Sequence, residues 1–165
     1  MPVPTAAYIA GMRRLAAGVT IVTASGGGLR AGLTATSVCS LTAEPPTLLA
    51  CVHGEADAHA LILTSGRFAV NLLKPEHQDL SDHFGGRDDS HGPERFSLGA
   101  WIEGVTGLPV LADAAAVFEC RLIERVTAST HSILIGEVVA LRDEAGAAAL
   151  VYHDRAYHHL AGSAG

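Results

Sequence analysis

Aromatic side chains are scarce, at 5% of 165 residues, so aliphatic groups must fill most of any core. Basic clusters are also missing. The formal net charge is −6, and no run of Lys and Arg interleaves with aromatics, which argues against a nucleic-acid partner because phosphate binding needs grouped cations. The three cysteines, Cys39, Cys51 and Cys120, are widely spaced with no C-x-x-C pair, so neither a zinc knuckle nor a disulfide framework is suggested. Free thiols fit a reducing compartment. No hydrophobic run reaches the roughly 18 residues that span a bilayer. Arg13 and Arg14 before AAGVTIVTASG imitate a signal peptide, but Thr and Gly interrupt the run and amphipathic sequence precedes it. The expectation is a cytoplasmic protein with no membrane partner.

What is present fits one globular domain over 1–165: the chain is 48% hydrophobic and 17% charged. Thr5 is expected to cap a helix running to about Ala17, with Tyr8, Met12 and Leu15 on one stripe and Gly18 ending it. VTIVTAS reads as a strand, Gly26-Gly27-Gly28 as its turn, and GLTATSVCSL (32–41) as a second strand. LTAEPP reads as a loop, because its prolines lack amide donors, and TLLACVH as a short buried strand. A helix is predicted from about Asp57 to Ser65, closed by Gly66. RFAVNLL is a further strand, and Pro75 opens the helix PEHQDLSDHF. The polar segment Gly85–Leu98 reads as a mobile loop. AVFECRLIERV, SILIGEVVAL and AALVYH read as strands, with DEAG turning between the last two. Both faces of SILIGEVVAL are apolar, so it is expected to be covered on both sides. Many short strands and few helices predict a mainly β, α+β barrel.

GLTATSVCSL packs four hydroxyls among apolar residues without a charge, which suits a half-buried polar surface. Gly26 to Ala31 spells G-x-G-x-x-A after a strand, but the residues that follow are β-formers and then prolines, not the helix that a dinucleotide fingerprint must open. P-loop, G-x-S-x-G and H-E-x-x-H motifs are absent. His153, His158 and His159 lie together without cysteine or carboxylates in register, so they read as a surface cluster and no metal is expected. His131 stands apart, in phase with Ile133 and Ile135 at the start of an apolar strand. The residues alone favour a core-edge group bonded to backbone.

Seven segments in order, AGVTIVTAS, GLTATSVCSLTAEPPTLLACV, SGRFAVNLL, WIEGVTGLP, FECRL, HSILIGEVVAL and YHDRAY, resemble the flavin reductase-like family, the small NAD(P)H:flavin oxidoreductases that supply two-component monooxygenases. The resemblance covers nearly the whole chain. It implies a split β-barrel of the FMN-binding type, a homodimer, FMN or FAD as flavin, and NADH more than NADPH as reductant.

Carried onto this sequence, the resemblance places Thr34, Ala35, Thr36 and Ser37 along the isoalloxazine edge, with Cys51, Val52 and His53 on the facing strand. It has Asn71 and Phe84 close around the ribityl chain and ring. His131 faces the nicotinamide, with Tyr152 and Tyr157 nearby. A row of hydroxyls and aliphatic groups suits a ring with a polar edge and an apolar end. Family members commonly hold the flavin phosphate with Ser and Thr after the CV strand, where this chain has Ala56 and Ala58, followed by His59. Glu55 and Asp57 beside them would repel phosphate, which leaves the amides of the following helix and Arg87 as candidate partners. Two other readings are a flavoprotein that reduces another substrate directly and a non-catalytic flavin or haem carrier.

Overall fold

The computed structural model describes residues 1–88 and 90–160. Asp89, within the loop expected over 85–98, and residues 161–165, the end of the expected single domain, lie outside the described residues. The helices are α1 (Thr5–Met12), α2 (Asp57–Ser65) and α3 (Gln78–Phe84), the last preceded by a 3-10 turn over Pro75–His77. The strands are β1 (Ala17–Gly18), β2 (Thr20–Gly26), β3 (Leu29–Ala35), β4 (Val38–Ala43), β5 (Pro46–His53), β6 (Arg67–Leu72), β7 (Trp101–Glu103), β8 (Pro109–Leu111), β9 (Ala116–Ala128), β10 (His131–Asp143), β11 (Ala149–His153) and β12 (Ala156–Leu160).

Seven strands form one antiparallel sheet in the order β3-β2-β6-β9-β10-β5-β4. β1, β11 and β12 form a second sheet, and β7 and β8 a third. The two edges of the large sheet, β3 and β4, are consecutive in the chain and separated only by Thr36 and Ser37. The sheet therefore curls until its edges approach, yet β3 and β4 share no ladder. That open seam is the split in the barrel.

The core explains the curl. Val19 and Ile21 join one cluster with Leu73, Phe84 and Leu111, whereas Val22 and Ala24 join another with Val52, Ile62, Phe68 and Leu134. β2 is thus buried on both faces, as its VTIVTA run requires. Glycines set the tight corners. Gly27 and Gly28 both have positive φ, 60° and 78°, between paired Gly26 and Leu29, which makes the two-residue turn matched to strand twist. Gly66 closes α2 at φ 67°.

Several expectations are corrected. α1 stops at Met12, has Pro4 before it, makes no side-chain cap bond and buries none of its residues; with no face to bury, propensity alone does not extend a short helix. The second strand is two strands, broken at Thr36–Ser37 where the chain crosses the seam. LTAEPP is not a loop: Leu41–Ala43 end β4, Pro46 opens β5, and only Glu44 and Pro45 turn between paired Ala43 and Pro46. The 85–98 segment contains a 3-10 helix, Gly92–Ser97, whose Phe96 is buried against Phe84 and Trp101. DEAG does not close a hairpin: β10 pairs with β5 and β9, and β11 with β1 and β12. β10 is covered on one face only, burying Ser132, Leu134 and Gly136 while Val139 and Leu141 stay 49% and 60% exposed.

Candidate active site

The seam carries a cleft of about 190 Å3 lined by Thr34, Thr36, Ser81, Asp82, Arg87 and Tyr157, with Val19, Gly85 and Tyr152 completing it. Each wall has a local cause. Thr34 comes from β3, whose alternation turns its side chain outward from the barrel, and its hydroxyl donates to Ser81 O at 2.6 Å. Ser81, on the buried side of α3, lies 2.9 Å from the Tyr157 hydroxyl. Tyr157 donates to Asp82 Oδ1 at 2.6 Å. Asp82 also holds Arg87, 3.2 Å away, and Arg87 lies 5.9 Å over the Tyr157 ring. Burial, and then the bond to Asp82, push the Tyr157 phenol above its ordinary pKa. Tyr152 packs edge-on to Tyr157 at 5.3 Å. Thr34, Thr36, Arg87, Tyr152 and Tyr157 are therefore together in one cleft, where the tyrosines, expected near His131, stand against Ser81 and Asp82, and Arg87, a candidate phosphate partner, is paired with Asp82.

A second group continues from the seam. The Cys51 amide donates to Ser37 O at 2.9 Å, tying the β3–β4 crossing to the end of β5. Two residues on, His53 pairs across the sheet with His131, and their rings meet edge-on at 5.0 Å. Thr130 Oγ1 is 2.9 Å from His131 Nδ1, and His131 is exposed. Beneath them buried His59 bonds Ser132 Oγ at 2.9 Å. Burial first, then Arg125 and His53, hold the His59 imidazole below its ordinary pKa. The hydroxyls of Thr36 and Ser37 are exposed and make no hydrogen bond among the described residues.

Other candidate residues lie elsewhere. Asn71 is fully buried: its Nδ2 donates to Ile21 O and Thr23 Oγ1 at 3.0 and 3.3 Å, and its Oδ1 accepts from Leu111 N at 2.8 Å. It clamps three chain segments and leaves no free donor for a ribityl chain. Phe84 is 1% exposed within the cluster of Phe96 and Trp101, so it supports the cleft from below. Val52, Ala35 and Ala58 are buried, and only their backbone can face a ligand. At the start of α2, Ala56 makes no side-chain cap and Asp57 stands in the first turn. Ser81 and Asp82 were not anticipated. Ser81 lies in the series His77, Ser81, Phe84, the helical i, i+4, i+7 spacing of a buried face, which was the available signal.

Residues 12–161 match the family model described as flavin reductase like domain. The FMN reductase (NADH) RutF of Pseudomonas syringae pv. syringae is 47% identical over 149 residues, covering 90% of this chain and 83% of that relative. Among solved structures, BorF, the flavin reductase component of a bacterial two-component tryptophan halogenase, has a TM-score of 0.88 at 30% identity, covering 97% of this chain and 100% of that one. The Streptomyces globisporus NADH:FAD oxidoreductase SgcE6, solved with NAD and FAD fragments, has a TM-score of 0.86 at 26% identity, covering 98% and 97%. The fold is that of the split-barrel flavin reductases. The chain belongs to the flavin reductase-like family.

The residues fit a flavin unevenly. Around the seam, hydroxyls, the backbone of 35–37 and 51–53, and the tyrosines provide hydrogen-bonding groups and apolar contact, and the two charges of the cleft, Asp82 and Arg87, are paired with each other. The α2 start lacks hydroxyls and carries Glu55 and Asp57, so it offers a phosphate little beyond its amides.

Proposed function

We propose that this protein is an NADH-dependent FMN reductase that releases its product to a separate monooxygenase and works as a homodimer in the cytoplasm. The observation that carries this reading is the seam cleft, lined by Thr34, Thr36, Ser81, Tyr152 and Tyr157, with the Cys51–Ser37 backbone bond joining the seam to the strand on which His53 meets His131. The name FMN reductase (NADH), carried by a relative at 47% identity, supports the flavin and the reductant. BorF, as one component of a two-component system, supports a partner oxygenase. Apolar side chains left exposed on β4, β9 and β10, among them Leu41, Ile123 and Leu141, support pairing of two copies.

A bound flavin supplies the two-electron acceptor for reduced nicotinamide. The protein contributes orientation and exclusion of water. Thr36, Ser37 and the neighbouring amides hold the polar edge of the ring. Tyr152 and Tyr157 shield it. Asp82 is a positioning residue, since it fixes both Tyr157 and Arg87. His131, held by Thr130 and His53, orients the nicotinamide. No protein group need change protonation for the transfer.

Anaerobic titration of excess FMN with NADH tests release. Many equivalents of FMN should bleach per protein chain, because the product leaves. Bleaching that stops at one equivalent would overturn the reading.

A further inference from the structure

A second cleft, about 370 Å3, opens between α1 and the β11–β12 turn and shares Thr36 and Tyr152 with the seam cleft. One side is apolar, from Tyr8, Ile9 and Met12, which α1 leaves exposed. The other side carries two arginines, Arg13 and Arg155. In a chain of net charge −6 this is a local concentration of cations. The carboxylate among them, Asp154, is taken by Arg14 at 3.3 Å.

Two features show that the cations are not incidental. Arg13 Nε is buried and has no hydrogen-bond partner among the described residues, although buried donors are ordinarily paired. Arg155 occupies the second position of a two-residue turn at φ 66°, after Asp154 at φ 47° and between paired His153 and Ala156. Glycine is favoured there, so the fold accepts an unfavourable backbone conformation that brings a guanidinium to the cleft. An unpaired arginine donor, a second arginine and an apolar wall suit a pyrophosphate attached to a flat heterocycle. The seam cleft alone, about 190 Å3, falls below the roughly 300 Å3 of a typical ligand site.

We propose that the cleft between α1 and the β11–β12 turn binds the adenosine-diphosphate moiety of a dinucleotide, with Arg13 and Arg155 on the pyrophosphate and the apolar side of α1 against the adenine. The inference rests on the reductase reading, under which NADH and FAD are the two possible sources of that moiety. Arg155→Gly removes the cation and gives the turn its preferred residue, so its melting temperature should not fall. Arg13→Gln removes the charge and keeps most of the side chain's length.

The KM for NADH relative to that for reduced nicotinamide mononucleotide should rise at least tenfold in each variant, the size expected for a charged hydrogen bond. If that ratio holds but affinity for FAD relative to FMN drops tenfold, the moiety is supplied by FAD and the site stands. Calorimetric titration with ADP needs no turnover. ADP should bind the wild type, and tenfold more weakly bind each variant. ADP binding of this kind in a protein unable to oxidise NADH with any flavin would retain the site and reject the reductase reading. Unchanged ratios together with unchanged or absent ADP binding would overturn the proposal.

Discussion

His131 and Ser132, the partner of His59, are neighbours on β10, and the two histidines are built for different work. His131 is exposed and braced by Thr130 and His53. Replacing it with Ala should slow reduction of flavin by NADH tenfold to a hundredfold, as for loss of a polar contact of about 1.5–3 kcal/mol, with little change in melting temperature. A destabilised variant with normal single-turnover reduction per folded molecule would return His131 to a purely structural role. His59 is buried with its proton affinity lowered, so the unfolded chain binds the extra proton first as pH falls. Stability should therefore decline as pH drops below about 6.5 toward the lower folded value. Urea denaturation at pH 5 and pH 7.5 should show this decline, and His59→Gln should flatten it; an equal pH dependence in both proteins would remove His59 as the cause. At this scale the sequence revealed residue types better than their partners. Thr34 and Tyr157 came from the family resemblance, and the structure brings them to one cleft. Asn71 was misplaced because nothing local shows that its amide meets Leu111, 40 positions along the chain.

β10 depends on a missing side chain. A Cβ at Gly136 would stand 2.5 Å from Phe68 Cζ and 2.8 Å from Cys120 Cβ, so the strand passes directly over the Phe68 ring. Gly136→Ala should cost about 1–3 kcal/mol through overpacking and lower the melting temperature by several degrees. Calorimetry that finds no change would mean the ring has room to move. Elements announced by local chemistry were legible from sequence. The Gly27-Gly28 turn, the Gly66 stop and the Pro75 start all lie where short-range rules put them. Elements set by distant packing were not. DEAG looks like a hairpin turn, yet the Ala149–His153 strand leaves β10 for β1 and β12. Polar sequence hid the 3-10 helix of Gly92–Ser97, which is fixed by one buried ring, Phe96, and by Arg95 donating to Gly32 O and Phe84 O, both at 3.1 Å.

The whole molecule leaves a sheet face uncovered. Val139 and Leu141 on β10 and Leu41 on β4 are 49%, 60% and 48% exposed, and a second copy is the proposed cover. Sedimentation should show a dimer, and Leu141→Glu should shift it toward monomer with loss of flavin binding; an active wild-type monomer at assay concentration would refute the pairing. The barrel class was readable from strand spacing, whereas the uncovered face was not, because a two-sided apolar strand reads the same whether its cover is its own chain or another. Under the proposed function, flavin retention depends on the α2 start. With alanine at 56 and 58 and carboxylates at 55 and 57, each missing hydroxyl removes a bond of about 0.5–1.5 kcal/mol, placing FMN affinity in the micromolar range. The decisive measurement is NADH oxidation by exhaustively dialysed protein before and after addition of micromolar FMN. The protein should be nearly colourless and inactive, then turn over NADH many times once FMN is added. No NADH oxidation with FMN, FAD or riboflavin would contradict the assignment of the seam cleft to flavin reduction.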